Sequence, residues 1–433
     1  MNKAKKQAQR LLNFIDSSPS PWHVTTSIIT ELEEKQFQRL DEREAWHLAP
    51  GGRYYVVRDG SSIIGFIVGR GDFTQHGFRI IAAHTDSPGL RVKPHAAHTS
   101  GPMIRLGVEV YGGPILATFT DRDLGLAGRV VIKTGSAITD IDTPLIHLKK
   151  PLVRIPNMAI HMNKEVNEAG LKLDRQKELP MMLSVLQKDL PAQQQFLAII
   201  AHEIGVEADA ILSWELQVFD TQPGSFFGHD DQFIANGQLD NLASCHAGLC
   251  ALLDVDNPIA TNMIAYFDHE EVGSRSCKGA GGSFLPDILE RISINLDRES
   301  QKRALSNSFI LSADMAHAYH PNYPKFYDNE HQVVINAGPA IKINANQRYS
   351  SDSISEALFV RLCEEAAVPY QKYVHRSNLP CGSTIGAITA AKVGIRSVDV
   401  GNPLWSMHSA RESAGTLDHD YMIRAMTALL KMS

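Results

Sequence analysis

Three apolar runs in this 433-residue chain end in residues that bind metals or move protons. Met263 to Phe267 delivers Asp268-His269-Glu270-Glu271 and then a small Val-Gly-Ser. Phe78 to Ala83 ends in His84-Thr85-Asp86, and Phe309 to Ala313 ends at Asp314. Two further positions stand in turns: Asp240, at the entry to an apolar helix, and His408, after a fourth apolar run at Ile395 to Gly401. An apolar run that stops at a polar mouth reads as a buried strand. Ligands of open α/β sheets gather at the carboxyl ends of such strands.

Together His84, Asp240, Glu271, Asp314 and His408 form a two-metal ligand set. Two histidines and three carboxylates can hold two divalent ions about 3.5–4 Å apart, with one carboxylate bridging. Such a pair lowers the pKa of a shared water and polarises a carbonyl oxygen. A carboxylate that is not a ligand must then carry the proton to the leaving amine. Glu270 and Glu271 are neighbours on an irregular segment, so one can face metal and the other water. Asp86 lies two residues from His84, on the same face of an extended segment. It is placed to orient the imidazole through its second ring nitrogen. Neither His202-Glu203 nor His269-Glu270 has a second histidine at the H-E-x-x-H spacing, which argues against a single-zinc protease helix.

The elements that position these residues follow from periodicity. Helices are expected over residues 4–16 and from Pro21 to Lys35, and a hairpin around Asp59-Gly60. From about Arg91 to Asp231 the pattern becomes short β-like runs, Met103 to Val110, Ile115 to Thr120 and Arg129 to Lys133 among them. Residues 163–195 are polar and without a clear period. After Gly237 strands and helices alternate again, ending in an amphipathic helix over Asp420 to Met432. Alternation of this kind implies an α/β fold: a mainly parallel sheet flanked by helices. The expected domains are 1–90 and 233–433, forming one catalytic domain, and an inserted, mostly β domain over 91–232.

Composition narrows the function classes. Hydrophobic residues are 43% and charged residues 21%, as in soluble globular proteins. The net charge of −6 and the lack of a basic run argue against nucleic acid or an anionic membrane as partner. No stretch has the apolar length of a membrane span, and the basic start leads into a mixed helix instead of a signal segment. Five cysteines without a C-x-x-C point to a reducing compartment, so a cytoplasmic location is expected. Eighteen histidines, several beside acids, suit a borderline metal such as zinc, with cobalt or manganese as other occupants.

On these segments the chain resembles the M18 metallopeptidases, the aspartyl aminopeptidases. The matching stretches are Ala83 to Pro88, Gln238 to Asn241, Asp268 to Ser274, Ser312 to Ala318 and Ser406 to Ser409, in family order across nearly the whole chain. The resemblance implies that Asp240 bridges two zinc ions per subunit. His84 and Asp314 would complete one site, and Glu271 and His408 the other, with Glu270 as general base and a cis peptide after Asp240. It further implies that Lys342, Tyr349 and His317 line a pocket for an acidic first side chain. His161 in the insert would reach the active site of a neighbouring subunit. The insert would then be an oligomerisation domain, in a tetrahedral dodecamer built from dimers. The expected activity is removal of an N-terminal Asp or Glu from peptides. Two rivals fit parts of the pattern: a metal-dependent deacylase of N-acyl amino acids, and a non-catalytic self-assembling scaffold with a vestigial site.

Overall fold

The computed structural model of the chain describes residues 3–187 and 190–432. Two compact units are present. One comprises Met1–Asp86, Gly224–Met407 and Glu412–Ser433; the other comprises Ser87–Pro223 and His408–Arg411.

The first unit is built on a nine-stranded sheet. Its order is Gln38–Arg39, Arg53–Arg58, Ser62–Ile67, Thr261–Phe267, Phe78–His84, Phe309–Ala313, Arg396–Gly401, Ala340–Ile343 and Gln371–Val374. The four consecutive strands from Thr261–Phe267 to Arg396–Gly401 are mutually parallel. Antiparallel pairs flank them, on one side through the hairpin Arg53–Arg58 and Ser62–Ile67 and on the other through Ala340–Ile343. Every residue of Phe78–His84, Thr261–Phe267 and Phe309–Ala313 is buried, which is why these strands read as unbroken apolar runs.

Alternate side chains of the sheet face two separate cores. Ile81, Ile264 and Leu311 pack against Leu11, Ile28, Leu249 and Met426. These come from the helices Lys3–Ser17, Pro21–Glu34, Leu239–Leu253 and Asp418–Lys431. Ile80, Met263 and Ile310 face the other way, against Phe284, Ile288 and Ile385. The helices of this second face are Phe284–Ile292 and Ile385–Val393. A small five-stranded sheet, not expected from the sequence, joins Ser225–Phe227, Phe233–Asn236, Glu412–Gly415, Pro403–Trp405 and Ala316–His317. Its strands have two to four residues, too short to show a period.

The second unit is a seven-stranded sheet whose named pairs are antiparallel. The helix Ala192–Ile204 packs Phe196 and Ile200 into its core beside Leu106 and Val130. That helix was not expected, because its three consecutive glutamines hide the buried positions Ala192, Phe196 and Ile200. The strand expected over Ile115 to Thr120 is instead a 3-10 turn, Leu116–Phe119. Thr118 and Thr120 donate their hydroxyls to the carbonyls of Ile115 and Ala117, each at 2.7 Å. Such local side-chain bonds compete with a ladder. Among the described residues, no helix is long and apolar enough to cross a membrane.

Candidate metal centre

Register decides which strand ends meet. Phe267 lies opposite His84 in one parallel pair, and Ser312 lies opposite Ala82 in the next. Asp314 therefore comes level with His84, and the Asp268 to Glu271 turn lies directly beyond. Asp240 enters from the first turn of the Leu239–Leu253 helix. Its own dihedrals are non-helical and its peptide bond to Asn241 is cis. Asn241 fixes this entry by donating Nδ2 to the Ala313 carbonyl at 2.8 Å. The Asp240 N–H donates to Glu412 Oε2 at 2.9 Å.

One ligand atom from each of His84, Asp240 and Asp314 lies within 4.8 Å of the other two, and the same holds for His84, Glu270 and Glu271. His84, Asp240 and Asp314 are buried; the two glutamates are half-buried. His408 falls in the short segment that groups with the second unit, where its Nδ1 is 3.1 Å from the Gly113 carbonyl.

Asp86 does more than the sequence suggested. His84 Nδ1 lies 3.0 Å from the backbone carbonyl of Asp86 and 3.5 Å from its carboxylate. The two oxygens of that carboxylate also accept the backbone N–H groups of Glu270 and Glu271, each at 3.1 Å. One buried side chain thus sets the imidazole and the turn that carries both glutamates.

The electrostatics call for a cation. Burial raises Glu270 well above the usual carboxylate range; Asp314, Glu271 and Asp86 add to the rise while His84 opposes it. Burial also raises Asp314, with Asp240 adding to the effect and Lys342 opposing it. His84 is disfavoured as a cation by burial, yet the Asp86 contact and the charges of Glu270 and Asp314 hold its pKa well above normal. Crowded, buried carboxylates with imidazole between them are the donor set that divalent zinc takes. The residues present fit such an ion.

The other expected residues occupy distinct places. Lys342 is buried, with Nζ 3.5 Å from Asp314 Oδ1 and 5.5 Å from the centre of the Tyr349 ring. Tyr349 is buried, and burial keeps its phenol protonated. His317 packs edge-on against Tyr373 at 6.0 Å. His161 stands exposed in a turn of the second unit.

Sequence reasoning passed over Glu412 and Lys278. Lys278 Nζ is buried between Asp59 at 2.8 Å and Asp268 at 3.1 Å, which ties the stretch after the glutamates back to the strand end. Its neighbours are far apart in the chain, so the only signal was its place beside the glycine-rich run 279–282.

Known proteins bear on this arrangement. The family model described as "Aminopeptidase I zinc metalloprotease (M18)" matches residues 14–429. A protein of Pseudomonas paraeruginosa, "Probable M18 family aminopeptidase 2", is 44% identical over 427 residues, 98% of each chain. The structure of the Ape4 and Nbr1 complex contains a chain similar at 35% identity with a TM-score of 0.95, covering 99% of this chain and 86% of that one. The structure of the S. cerevisiae mApe1 dodecamer contains a chain similar at 27% identity with a TM-score of 0.86, covering 99% of this chain and 97% of that one.

Proposed function

Because the chain belongs to the M18 family of zinc aminopeptidases, we propose that it removes an N-terminal aspartate or glutamate from peptides at a two-zinc centre. The observation that carries the reading is the convergence of His84, Asp240 and Asp314 within 4.8 Å, with Glu270 and Glu271 beside them. In this reading His84 and Asp314 hold one zinc, Glu271 and His408 hold the other, and Asp240 serves both. Bound there, zinc supplies a Lewis acid for the scissile carbonyl and makes water more acidic.

The chain's own residues do the rest. Glu270 takes the proton of the attacking water and returns it to the amine nitrogen as the C–N bond breaks. Asp86 holds His84 and the backbone of Glu270 and Glu271 in place, which keeps base and ligands in register. Lys342 pairs with the carboxylate of the first side chain against the Tyr349 ring.

The reading extends to assembly. Residues 91–232 act as an oligomerisation insert, through which His161 reaches a neighbouring copy's site in a dodecamer built from dimers. The dodecameric relative supports this. So do the exposed apolar side chains Ile138, Met158, Met162 and Val185 in this stretch. A cytosolic location is part of the reading, and five free thiols support it.

Zinc titration of metal-stripped protein tests the centre. Uptake of two ions per subunit, with peptide hydrolysis returning in step, is expected. Full activity at one ion per subunit would contradict the two-metal reading.

A further inference from the structure

Asp399 is fully buried in the strand Arg396–Gly401, and both of its carboxylate oxygens are filled from neighbouring elements. Oδ1 accepts the hydroxyl of Ser312 at 2.5 Å and that of Thr384 at 2.7 Å. Oδ2 accepts the backbone N–H of Ser350 at 2.5 Å and its hydroxyl at 2.7 Å. The Asp399 N–H donates to Ser351 Oγ at 3.0 Å.

The surroundings are shaped for this carboxylate. Thr384 is the N-cap of the helix Ile385–Val393, where a threonine hydroxyl ordinarily accepts from the first turn. It makes no such capping bond and donates to Asp399 instead. Gly386, in the same first turn, leaves the space that the carboxylate fills, since a Cβ there would collide with Asp399 Oδ2. An ionised carboxylate only accepts, so it can take all four donors at once. An asparagine would turn its NH2 towards two groups that now donate.

These bonds reach the pocket assigned to the first side chain. Ser312 stands opposite Asp399 in the parallel pair, and Asp314 follows it by two residues. Ser350 directly follows Tyr349, whose ring centre lies 5.5 Å from Lys342 Nζ. The Thr384 N–H donates to the Arg348 carbonyl at 3.4 Å, and Cys381 Sγ lies 3.4 Å from the Tyr349 hydroxyl. Asp399 therefore ties three stretches, 312–314, 348–351 and 381–384, into one wall beside the buried Lys342.

We propose that Asp399 is a positioning residue for the choice of the first side chain. By gripping Ser350 and Thr384 it holds Tyr349 against Lys342 and keeps that lysine dry. A substrate carboxylate then meets the ammonium in a low-dielectric setting, where the pairing is strong. A leucine side chain gains nothing from Lys342 and is little affected. The negative charge of Asp399, acting only by its field, would work the other way and repel a substrate carboxylate. The inference rests on the aminopeptidase reading and on Lys342 facing the first side chain.

The test is the ratio of kcat/KM for Asp-anilide over Leu-anilide, with zinc content and thermal unfolding measured on every variant. Thr384→Val keeps the side-chain shape and the Asp399 charge but loses the donor. Its ratio should fall about fivefold, chiefly through a higher KM for the Asp-anilide. That is less than the roughly tenfold or more of one hydrogen bond to a charged group, because Ser312 still holds the oxygen. Thr384→Ser restores the hydroxyl and should keep the wild-type ratio. Ser350→Ala leaves the backbone N–H on Oδ2 and should lower the ratio in the same direction, so the test does not depend on Thr384→Val folding. Asp399→Asn should lower the ratio too; a rise would mean that the charge acts by its field and would overturn the proposal. An unchanged ratio in both hydroxyl variants, with only the unfolding temperature reduced, would make Asp399 a structural anchor and remove this inference alone. A wild-type protein with no preference for Asp would remove the acidic reading and this inference together.

Discussion

Glu270 and Lys342 separate the proposed chemistry from its selectivity. Glu270 is half-buried among Asp86, His84 and Asp314, and its backbone is pinned by Asp86. As a base that is not a ligand, it predicts that Glu270→Gln keeps its zinc while kcat falls by about 10²- to 10⁴-fold; wild-type turnover in that variant would remove it from the mechanism. Lys342→Ala should shrink the preference for Asp over Leu at the first position by about tenfold or more, read as a ratio of kcat/KM values. An unchanged ratio would leave Lys342 as only the partner of Asp314 seen at 3.5 Å. At this scale the sequence was informative wherever an apolar run stopped at a ligand-type residue, as at His84 and Asp314. It was silent on Glu412 and Lys278, which reach Asp240 and Asp59 across 172 and 219 positions, a distance no local pattern carries.

Elements hold the site by being rigid and in register. The Leu239–Leu253 helix, which carries Asp240 in its first turn, is joined to the Asp418–Lys431 helix by His246 Nδ1 and His419 Nε2, 2.8 Å apart and buried. One ring donates and the other accepts, so the folded pair is neutral. Burial pushes both pKa values down, with Arg10 nearby adding to the effect, and His419 falls to about 3. In the unfolded chain both titrate near 6.5, so below that pH the unfolded state binds protons that the folded pair refuses. The pair's contribution is whole above about pH 6.5 and is lost as pH falls. For His419 alone the loss is about 2 kcal/mol by pH 5, and His246 adds to it in the same direction. Denaturant unfolding of His419→Gln should show a flatter dependence between pH 7 and 5 than the wild type. Parallel curves would contradict the account. Helices and long buried strands were legible because their periods run over several turns or pleats. The two- to four-residue strands of the small sheet are too short for that. The 3-10 turn at Leu116–Phe119 was lost to threonine hydroxyls that satisfy the backbone locally.

At the scale of the whole molecule, the first unit carries five of the proposed site's acidic and imidazole groups, His84, Asp240, Glu270, Glu271 and Asp314, while His408 and His161 belong to the second. If His161 acts on a neighbouring copy, His161→Ala should lower kcat/KM at least tenfold while the sedimentation profile stays that of the wild-type assembly. Disassembly would instead mark His161 as structural. The α/β character was legible because strand and helix periods alternate on either side of the 91–232 stretch. Where His408 groups was not, since four residues carry no period. The central claim is that a zinc-dependent centre cleaves after a free, acidic first residue. Its most direct test is hydrolysis of Asp-, Glu-, Leu- and N-acetyl-Asp-anilides, with chelator and after zinc is restored. The account predicts cleavage of the free Asp and Glu anilides alone, abolished by chelator and recovered with zinc. Cleavage of the acetylated substrate would contradict it in favour of a deacylase, and preference for Leu would contradict the role given to Lys342.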